Sequence, residues 1–379
     1  MLDRLSADIE TLRGFFPPPI PPDPDAIFKP RSFEKVEEAI DYWGLPTDME
    51  YVPWDPETDT YIGQALDRIG INRVLVLAER EDPYPLDSRD GFAAYGVSAI
   101  TGPNGTRTNV VNKPARWFEM ARGNILGLGP GAVIEPTDSG WSAPAQPKPL
   151  YYFDKKGKQV GELVGNQNVL IGSYSKTGIF CNFTLRGRDF GEVVYDGLKF
   201  VGCELGICKG IHFDQASRGR HGIPNLESGS AVFYKGRYEI QSLLIDNHPK
   251  WSSSPIMWNR NKGGTLKDVK IANHAPHGMP TMWACEGYNQ FENFNVQAWY
   301  TGLNVEQSEP GCEIDWTGGS ITLNQRGSWH LNIGQTKDST KIRLRDVEIT
   351  PNGVIPGKLV CSGYRTPGIQ RMSDIECDT

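Results

Sequence analysis

The sequence predicts an all-β fold, a parallel β-helix, because two segments of the chain are near copies of each other. Asn247-His248 and Asn273-His274 lie 26 positions apart, and Met257-Trp258 and Met282-Trp283 lie 25 positions apart. A shared period of this size in two separate motifs is typical of stacked structural repeats. Short alternating strands and turn residues surround the motifs, and no helical pattern of ten or more residues separates these strands. This predicts strands that pair with their counterparts in the next repeat.

Each repeat is predicted to contain two strands that point apolar residues into the solenoid. The inward residues of the first strands are predicted to be Ile245, Ile271, Val296, Leu323 and Ile349. Those of the second strands are predicted to be Met257, Met282, Leu303, Leu331 and Leu359. Residues 196–202 and 210–214 are predicted to be the first and second strands of an earlier repeat. Because each repeat buries these residues against its neighbours, stability is expected to be a sum over neighbouring repeats.

The N-terminal residues differ in composition, and we divide the chain into three parts. Residues 1–55 are predicted to be a helical and proline-rich attachment segment, 56–122 a cap with the first rungs, and 123–379 the β-helix. In the first part, a helix is expected over 32–43, with Ser32 as its cap and Gly44 as its end. In the second, a short amphipathic helix over 61–69 leads into strands 73–78 and 83–86. A loosely ordered extension is the alternative interpretation of the first part.

The cap residues 61–86 and the repeats from about 123 to 379 resemble the right-handed parallel β-helix superfamily, which contains pectate lyases, polygalacturonases and phage tailspikes. Within it, the chain is most similar to β-helical minor tail proteins of phages that infect actinobacteria, through its short helical and proline-rich head and its long irregular loops. The resemblance implies a right-handed solenoid in a virion. It also implies other tail proteins as partners of residues 1–55, a host cell-surface polysaccharide as ligand, and a possible homotrimer.

Charge and cysteine content narrow the setting. The net charge is −7 and no Lys/Arg run exceeds two residues, which argues against nucleic acid as a ligand. No apolar stretch is long enough for a membrane span, and the N-terminus lacks the apolar core of a signal peptide. The seven cysteines are odd in number and lack metal-ligand spacing, so we expect mostly buried thiols in a chain made in the host cytoplasm. No metal and no cofactor are predicted.

The outward faces of the strands are predicted to bind sugar. If Met282 points inward, Trp283 points outward, and the same parity places Trp258 and His212 on that face. A neighbouring outward column is predicted to hold Asp214, Arg260, Cys285 and Glu306, with Glu286 beside it. The predicted substrate-binding residues are Trp258, Trp283, His212, Arg260 and His274. The alternative is that the two tryptophans pack under a loop.

The same faces carry candidates for catalysis. The candidate catalytic residues are Asp214, Glu286, Glu306, Asp246 and His248. A glycoside hydrolase needs two carboxyl groups on one face, whereas a lyase needs a base beside a uronate. Asn247 and Asn273 are instead expected to form a structural ladder of side-chain amides. We therefore expect a glycan-binding phage tail protein, with a polysaccharide-degrading enzyme as the alternative and a purely structural tail component as a third possibility.

Overall fold

The computed structural model of the protein describes residues 23–86, 92–94, 99–101, 107–109, 117–137, 150–153, 159–163, 167–187, 194–217, 229–247, 254–273, 279–298, 301–323, 329–334, 340–350, 361–364 and 375–378. These residues contain two α-helices, α1 (Val36–Trp43) and α2 (Ile62–Ile69), and a 3-10 turn over Ala26–Phe28. Neither helix among the described residues is long and apolar enough to cross a membrane.

Short strands make up most of the described chain. In chain order they are β1 (Tyr51–Pro53), β2 (Val74–Leu77), β3 (Tyr84–Leu86), β4 (Phe92–Ala94), β5 (Ala99–Thr101), β6 (Arg107–Asn109), β7 (Trp117–Arg122), β8 (Asn124–Gly127), β9 (Val133–Pro136), β10 (Leu150–Phe153), β11 (Gln159–Leu163), β12 (Gln167–Ser173), β13 (Thr177–Cys181), β14 (Thr184–Arg186), β15 (Val194–Val201), β16 (Leu205–Asp214), β17 (Gly229–Asn247), β18 (Ser254–Asn273), β19 (Thr281–Trp283), β20 (Tyr288–Ala298), β21 (Thr301–Glu306), β22 (Glu313–Leu323), β23 (Trp329–Gly334), β24 (Lys341–Arg345), β25 (Glu348–Ile349), β26 (Cys361–Tyr364) and β27 (Ile375–Asp378). Among the described residues, the strand pairs β4–β7, β5–β6 and β10–β11 are antiparallel, and all other strand pairs are parallel.

The parallel strands form three long sheets, so the predicted parallel solenoid is confirmed. Sheet A contains β7, β12, β15, the first parts of β17 and β18, β19, β21, β23 and β26. Sheet B contains β1, β2, β8, β13, the middle parts of β17 and β18, the first parts of β16, β20 and β22, β24 and β27. Sheet C contains β3, β9, β14, the last parts of β16, β17, β18, β20 and β22, and β25.

A complete rung therefore has three strands, and the prediction of two strands per repeat is wrong. The reason is the corner between sheets B and C, which in seven rungs is a single residue in the left-handed region, with φ between +51° and +69°. The corner residues are Asn182, Gly210, Ser242, Asp268, Asn293, Gly318 and Asp346. One residue turns the chain without a visible turn sequence, so that β17 and β18 run continuously through it. At Gly210 a Cβ would meet the Trp43 ring at 2.5 Å, so glycine also allows that ring to pack closely.

The inward column of sheet C was predicted in part. Ile245 pairs with Ile271, and Ile271 pairs with Val296, as expected. Val296 then pairs with Ile321, which in turn pairs with Ile349, so the placement of Leu323 in this column is wrong. The register is set by backbone pairing, and a shift of two residues keeps the side chain on the same face. Sequence parity alone does not detect such a shift.

The earlier repeat was assigned in the reverse order. Residues 196–202, predicted as a first strand, lie mostly in β15, which pairs in sheet A. Residues 211–214, predicted as a second strand, pair with 243–246 of sheet C. The long connection between residues 214 and 229 hid this relation, because it breaks the period of about 25 residues.

The interior is filled by aromatic rings that stack from rung to rung. Phe200 and Phe233 lie parallel with ring centroids 4.6 Å apart, and Trp258 stacks on Phe291 at 5.6 Å. The described cysteines Cys181, Cys203, Cys208, Cys285 and Cys312 are free and buried, which confirms the expectation of buried thiols for these five. Burial raises the pKa of Cys285 to about 12, and it raises the pKa of Cys312 likewise to about 12. These thiols are neutral, and they contribute to packing rather than nucleophilic chemistry.

The two helices cover different parts of the solenoid. Helix α2 lies near the position predicted for it and buries Ile62, Leu66 and Ile69 against the first rungs. Helix α1 ends at Gly44, as predicted, with φ +60° in the left-handed region. Its predicted cap at Ser32 is wrong, because the residue before the helix is Lys35, whose side chain makes no capping hydrogen bond.

Residues 23–50 follow the outside of the solenoid. The Asn182 side-chain amide bonds both the N–H and the carbonyl of Arg31, at 2.8 Å each. Trp43 of α1 packs on outward apolar residues of sheet B, such as Leu126 and Ile207. The segment starts at sheet C, where Asp25 pairs with Lys270 at 2.6 Å. The N-terminal chain is thereby fixed along the wall over several rungs.

Candidate functional site

Trp258 and Trp283, predicted to be stacked on one outward face, lie on opposite sides of sheet A. Trp258 is completely buried and pairs with Met282, which is also completely buried. Trp283 pairs instead with Asn259. The prediction of Trp258 as a sugar-binding residue is therefore wrong. The two Met-Trp motifs are offset by one residue in the backbone register, and an offset of one reverses the face of every side chain.

An outward column of sheet A, here called the aromatic column, contains Tyr234, Asn259, Trp283 and Glu306. These residues pair in this order on four consecutive rungs. All four are half-buried, because their neighbours in each strand point into the core. Parallel strands lie roughly 4.8 Å apart, so the two rings lie about 10 Å apart along the solenoid with the Asn259 amide between them. Rings and amides in this spacing suit an extended chain of sugars.

Cations flank both rings of the aromatic column. The Arg260 guanidinium lies 5.4 Å from the centroid of the Trp283 ring, and the Lys235 ammonium lies 5.3 Å from that of Tyr234. Both cations occupy the left-handed region, with φ +57° for Arg260 and +65° for Lys235, at the corner between sheets A and B. Among the described residues, Asn259 Oδ1 has no hydrogen-bond partner although it is buried. The column thus has an acceptor that a polar ligand can satisfy after a small side-chain movement.

Two of the predicted carboxylates lie in or near this column: Glu306 belongs to it, and Glu286 lies near it. Glu306 pairs in register with Trp283. Glu286 lies three residues after Trp283, and its N–H donates to the carbonyl of Asn261 at 2.7 Å. Cys285, which lies between Trp283 and Glu286 in the chain, is buried, so its predicted outward position is wrong. The structure therefore brings Trp283, Arg260 and Glu306 to one surface, as predicted, but Glu306 lies in the column of Trp283 and not in the predicted column of Arg260.

A second set of outward groups lies on sheet C and is here called the polar row. It consists of Glu135, Arg186, His212, Asp214 and Asp246. Arg186 donates to Asp214 at 3.0 Å and to Glu135 at 3.1 Å. His212 Nε2 lies 3.1 Å from Asp246 Oδ2. Asp214 and Asp246 pair directly in register, so two carboxylates lie side by side on adjacent rungs.

The contacts within the polar row are exposed ion pairs. The side chains of Arg186, Asp214 and Asp246 are 42%, 32% and 40% exposed, so each pair contributes no more than about 1 kcal/mol to stability. Hydrogen bonding to Asp214 raises the pKa of Arg186, which stays charged. Because packing does not require them, these groups are available to a ligand. The 3-10 turn over Ala26–Phe28 packs near the row, on strands β16 to β18.

The polar row joins candidates that the sequence assigned to different places. His212 was expected beside Trp283, and Asp214 in one column with Arg260 and Glu306; both expectations are wrong. Each lies in sheet C with Asp246, because residues 211–214 pair with 243–246. His248 and His274, the remaining candidates, lie outside the described residues. The predicted ladder pair Asn247 and Asn273 is in register, while the amide contacts themselves remain a prediction.

Four residues of the two sites were missed by the sequence argument. Tyr234 and Asn259 precede a corner that was not recognised, and Arg186 and Glu135 lie upstream of the first repeat that was assigned. The signal that finds them is the column register, since each pairs with or contacts a predicted residue. Within the described ranges, no group of three or more His, Cys, Asp or Glu side chains is arranged to hold a metal ion.

The comparisons with known proteins add no name to this geometry. No protein-family model matches the chain, and no curated protein and no solved structure matches it.

Proposed function

We propose that this protein is a phage tail component that binds a host cell-envelope glycan through the aromatic column of sheet A. The observation that carries the binding proposal is the alignment of Tyr234, Asn259 and Trp283 on consecutive rungs, with a cation beside each ring. Aromatic faces stack on the apolar faces of sugars, and the amide, Glu306 and Arg260 bind hydroxyl groups. The tail setting is supported by the sequence resemblance and by the parallel solenoid.

The test of binding is affinity electrophoresis of the full chain in gels that contain actinobacterial arabinogalactan or capsular glycan. Trp283→Ala is expected to weaken binding by about 30-fold, which corresponds to the roughly 2 kcal/mol typical of a central aromatic contact. Tyr234→Ala is expected to act in the same direction with a smaller effect. Both side chains are outside the core, so the fold is expected to persist, and circular dichroism verifies this.

Tyr42→Ala is the matched control, because Tyr42 is an exposed aromatic residue of α1, on sheet B rather than sheet A. Its binding is expected to equal that of the unmodified protein. Binding of Trp283→Ala that equals that of Tyr42→Ala would overturn the aromatic column as the binding site. Absence of binding to every envelope glycan would leave the purely structural tail component.

Hydrolysis of the bound glycan is a second candidate function, and the polar row favours it. Asp214 and Asp246 are on adjacent rungs, with backbones roughly 4.8 Å apart. Retaining glycosidases hold two carboxyl groups about 5 Å apart, and inverting ones hold them at about 6.5 to 9.5 Å. His212 and Arg186 contact the two carboxylates, which gives each its own polar partner.

The test of hydrolysis measures new reducing ends after incubation with the same glycans. Asp246→Asn and Asp214→Asn are each expected to lower the rate by at least about 100-fold, the usual contribution of an acid or base group. Glu204→Gln is the control, because it breaks an exposed ion pair with Lys176, away from the polar row and the other outward sites. Unsaturated products without new hydrolytic ends would indicate a lyase instead, and absence of release would remove both chemistries.

A further inference from the structure

A third outward surface lies on sheet B, where helix α1 ends. Lys209 marks this boundary, because its ammonium donates to the carbonyl of Trp43 at 2.9 Å. Beyond it a groove runs over the outer face, here called the sheet B groove, whose lining includes the uncharged Gln241, Thr265 and Gln290, here called its polar floor. These three residues come from three consecutive strands of the sheet. The groove therefore runs along the solenoid axis.

The floor of the groove is polar and available. Thr265 and Gln290 are exposed, and Gln241 is half-buried. In the part of the chain that the structure describes, the side chains of all three take part in no hydrogen bond or ion pair. They offer two amides and a hydroxyl, which both donate and accept hydrogen bonds.

The charges in the lining of the groove cancel. Lys209 pairs with Glu239 at 2.9 Å, and Lys267 pairs with Glu292 at 2.7 Å. Two ammonium groups therefore face two carboxylates, and the lining has no net charge. The polar row on sheet C differs, because its three carboxylates face one arginine.

An exposed aromatic ring lies beside the groove. Tyr288 is 50% exposed and lies two residues before Gln290 on the same strand, so both point outward. Its hydroxyl bonds Asp315 Oδ2 at 3.0 Å, which holds the ring beside the floor. A fixed aromatic ring next to neutral amide and hydroxyl groups is the combination that binds uncharged sugars.

We propose that the sheet B groove is a binding site for an uncharged oligosaccharide, separate from the aromatic column. The neutral lining selects against uronates and phosphorylated sugars. The arrangement along the axis selects an extended chain, with about one polar floor residue for each rung. Because the groove and the aromatic column lie on different sheets, the two sites act independently.

The experiment uses the full chain in affinity electrophoresis with arabinogalactan and a neutral glucan, and with polygalacturonate as the anionic probe. The double variant Thr265→Ala with Gln290→Ala is expected to bind the neutral polymers about tenfold more weakly, through the loss of side-chain hydrogen bonds. Gln297→Ala is the matched control, since it removes an amide from the same strand on sheet C. All variants are also made in the Trp283→Ala protein, where binding at the aromatic column is reduced.

Two results would overturn the proposal. One is equal binding of neutral polymers by the double variant and by Gln297→Ala, in both backgrounds. The other is retardation of the unmodified protein by polygalacturonate alone. Either result leaves the aromatic column to be judged by Trp283→Ala on its own. An effect of Trp283→Ala without an effect of the double variant would leave the aromatic column as the glycan site and overturn the sheet B groove.

Discussion

Trp258 and Trp283 occupy matching places in two copies of one motif, yet the first is in the core and the second is outside. Trp258 contacts Phe291 and Tyr238 inside the solenoid. Trp283 contacts Arg260 at the surface. The strand around Trp258 is thus a structural element, and the strand around Trp283 carries the candidate site. Two segments that are similar in sequence therefore need not occupy equivalent positions in the sheet.

Trp258→Ala is expected to have the largest effect, a loss of about 3–5 kcal/mol in the free energy of unfolding. The reason is the cavity that replaces a fully buried indole. Trp283→Ala, at the surface, is expected to change this free energy by no more than about 0.5 kcal/mol. Denaturant unfolding followed by circular dichroism measures both. Equal losses in the two variants would contradict the assignment of inside and outside.

A disulfide between adjacent rungs tests the backbone register that separates the two tryptophans. Asn259 pairs with Trp283, so their Cα atoms lie roughly 4.8 Å apart, within the range that a disulfide spans. Asn259→Cys with Trp283→Cys is expected to cross-link under mild oxidation and to stabilise the protein by about 2–3 kcal/mol. Peptide mass analysis detects the link. The control is Met257→Cys with Trp283→Cys, both outward but two residues out of register, which is expected to remain reduced.

Burial also changes the pKa of ionisable groups inside the solenoid. The smallest expected effect on stability comes from His330. Desolvation lowers the pKa of this completely buried imidazole, whose Nε2 lies 3.0 Å from the carbonyl oxygen of Thr350. The unfolded chain therefore binds the proton more readily, and stability falls as the pH drops below about 6.5, by at most about 1.4 kcal/mol per pH unit. His330→Gln is expected to flatten this slope in unfolding curves between pH 7 and pH 5. An unchanged slope would assign the pH dependence to other groups.

The sequence predicted the repeat better than the register. Ile245, Ile271 and Val296 were aligned correctly, because this part of the rung keeps a constant length. Met257 and Met282 were aligned incorrectly, since Asn247 lies eleven residues before Trp258 whereas Asn273 lies nine residues before Met282. The connection changes length by two residues while the motif shifts by one. The local sequence does not determine which of these two shifts the backbone register follows.

The sequence predicted the members of a candidate site correctly where the order of the strands in the rung had been assigned correctly. Trp283, Arg260 and Glu306 were placed on one surface correctly, because each lies at or directly before a corner between sheets A and B. Asp214 and Asp246 were each named, but their adjacency was missed. A connection of fourteen residues separates β16 from β17 and interrupts the period. Pairing across such a connection is decided by the packing of Phe213 on Ile245, which is a contact in space.

The one-residue corners between sheets B and C restrict how this solenoid can change over time. An inserted residue there would reverse the inward and outward sides of all that follows in the rung. The connections from sheet C to sheet A have no such restriction, and two of them already contain the hairpins β5–β6 and β10–β11. New loops can therefore accumulate along a single edge of the molecule without disturbing the core. For protein engineering, that edge is the place to graft foreign peptides, and the opposite corner is the place to leave untouched.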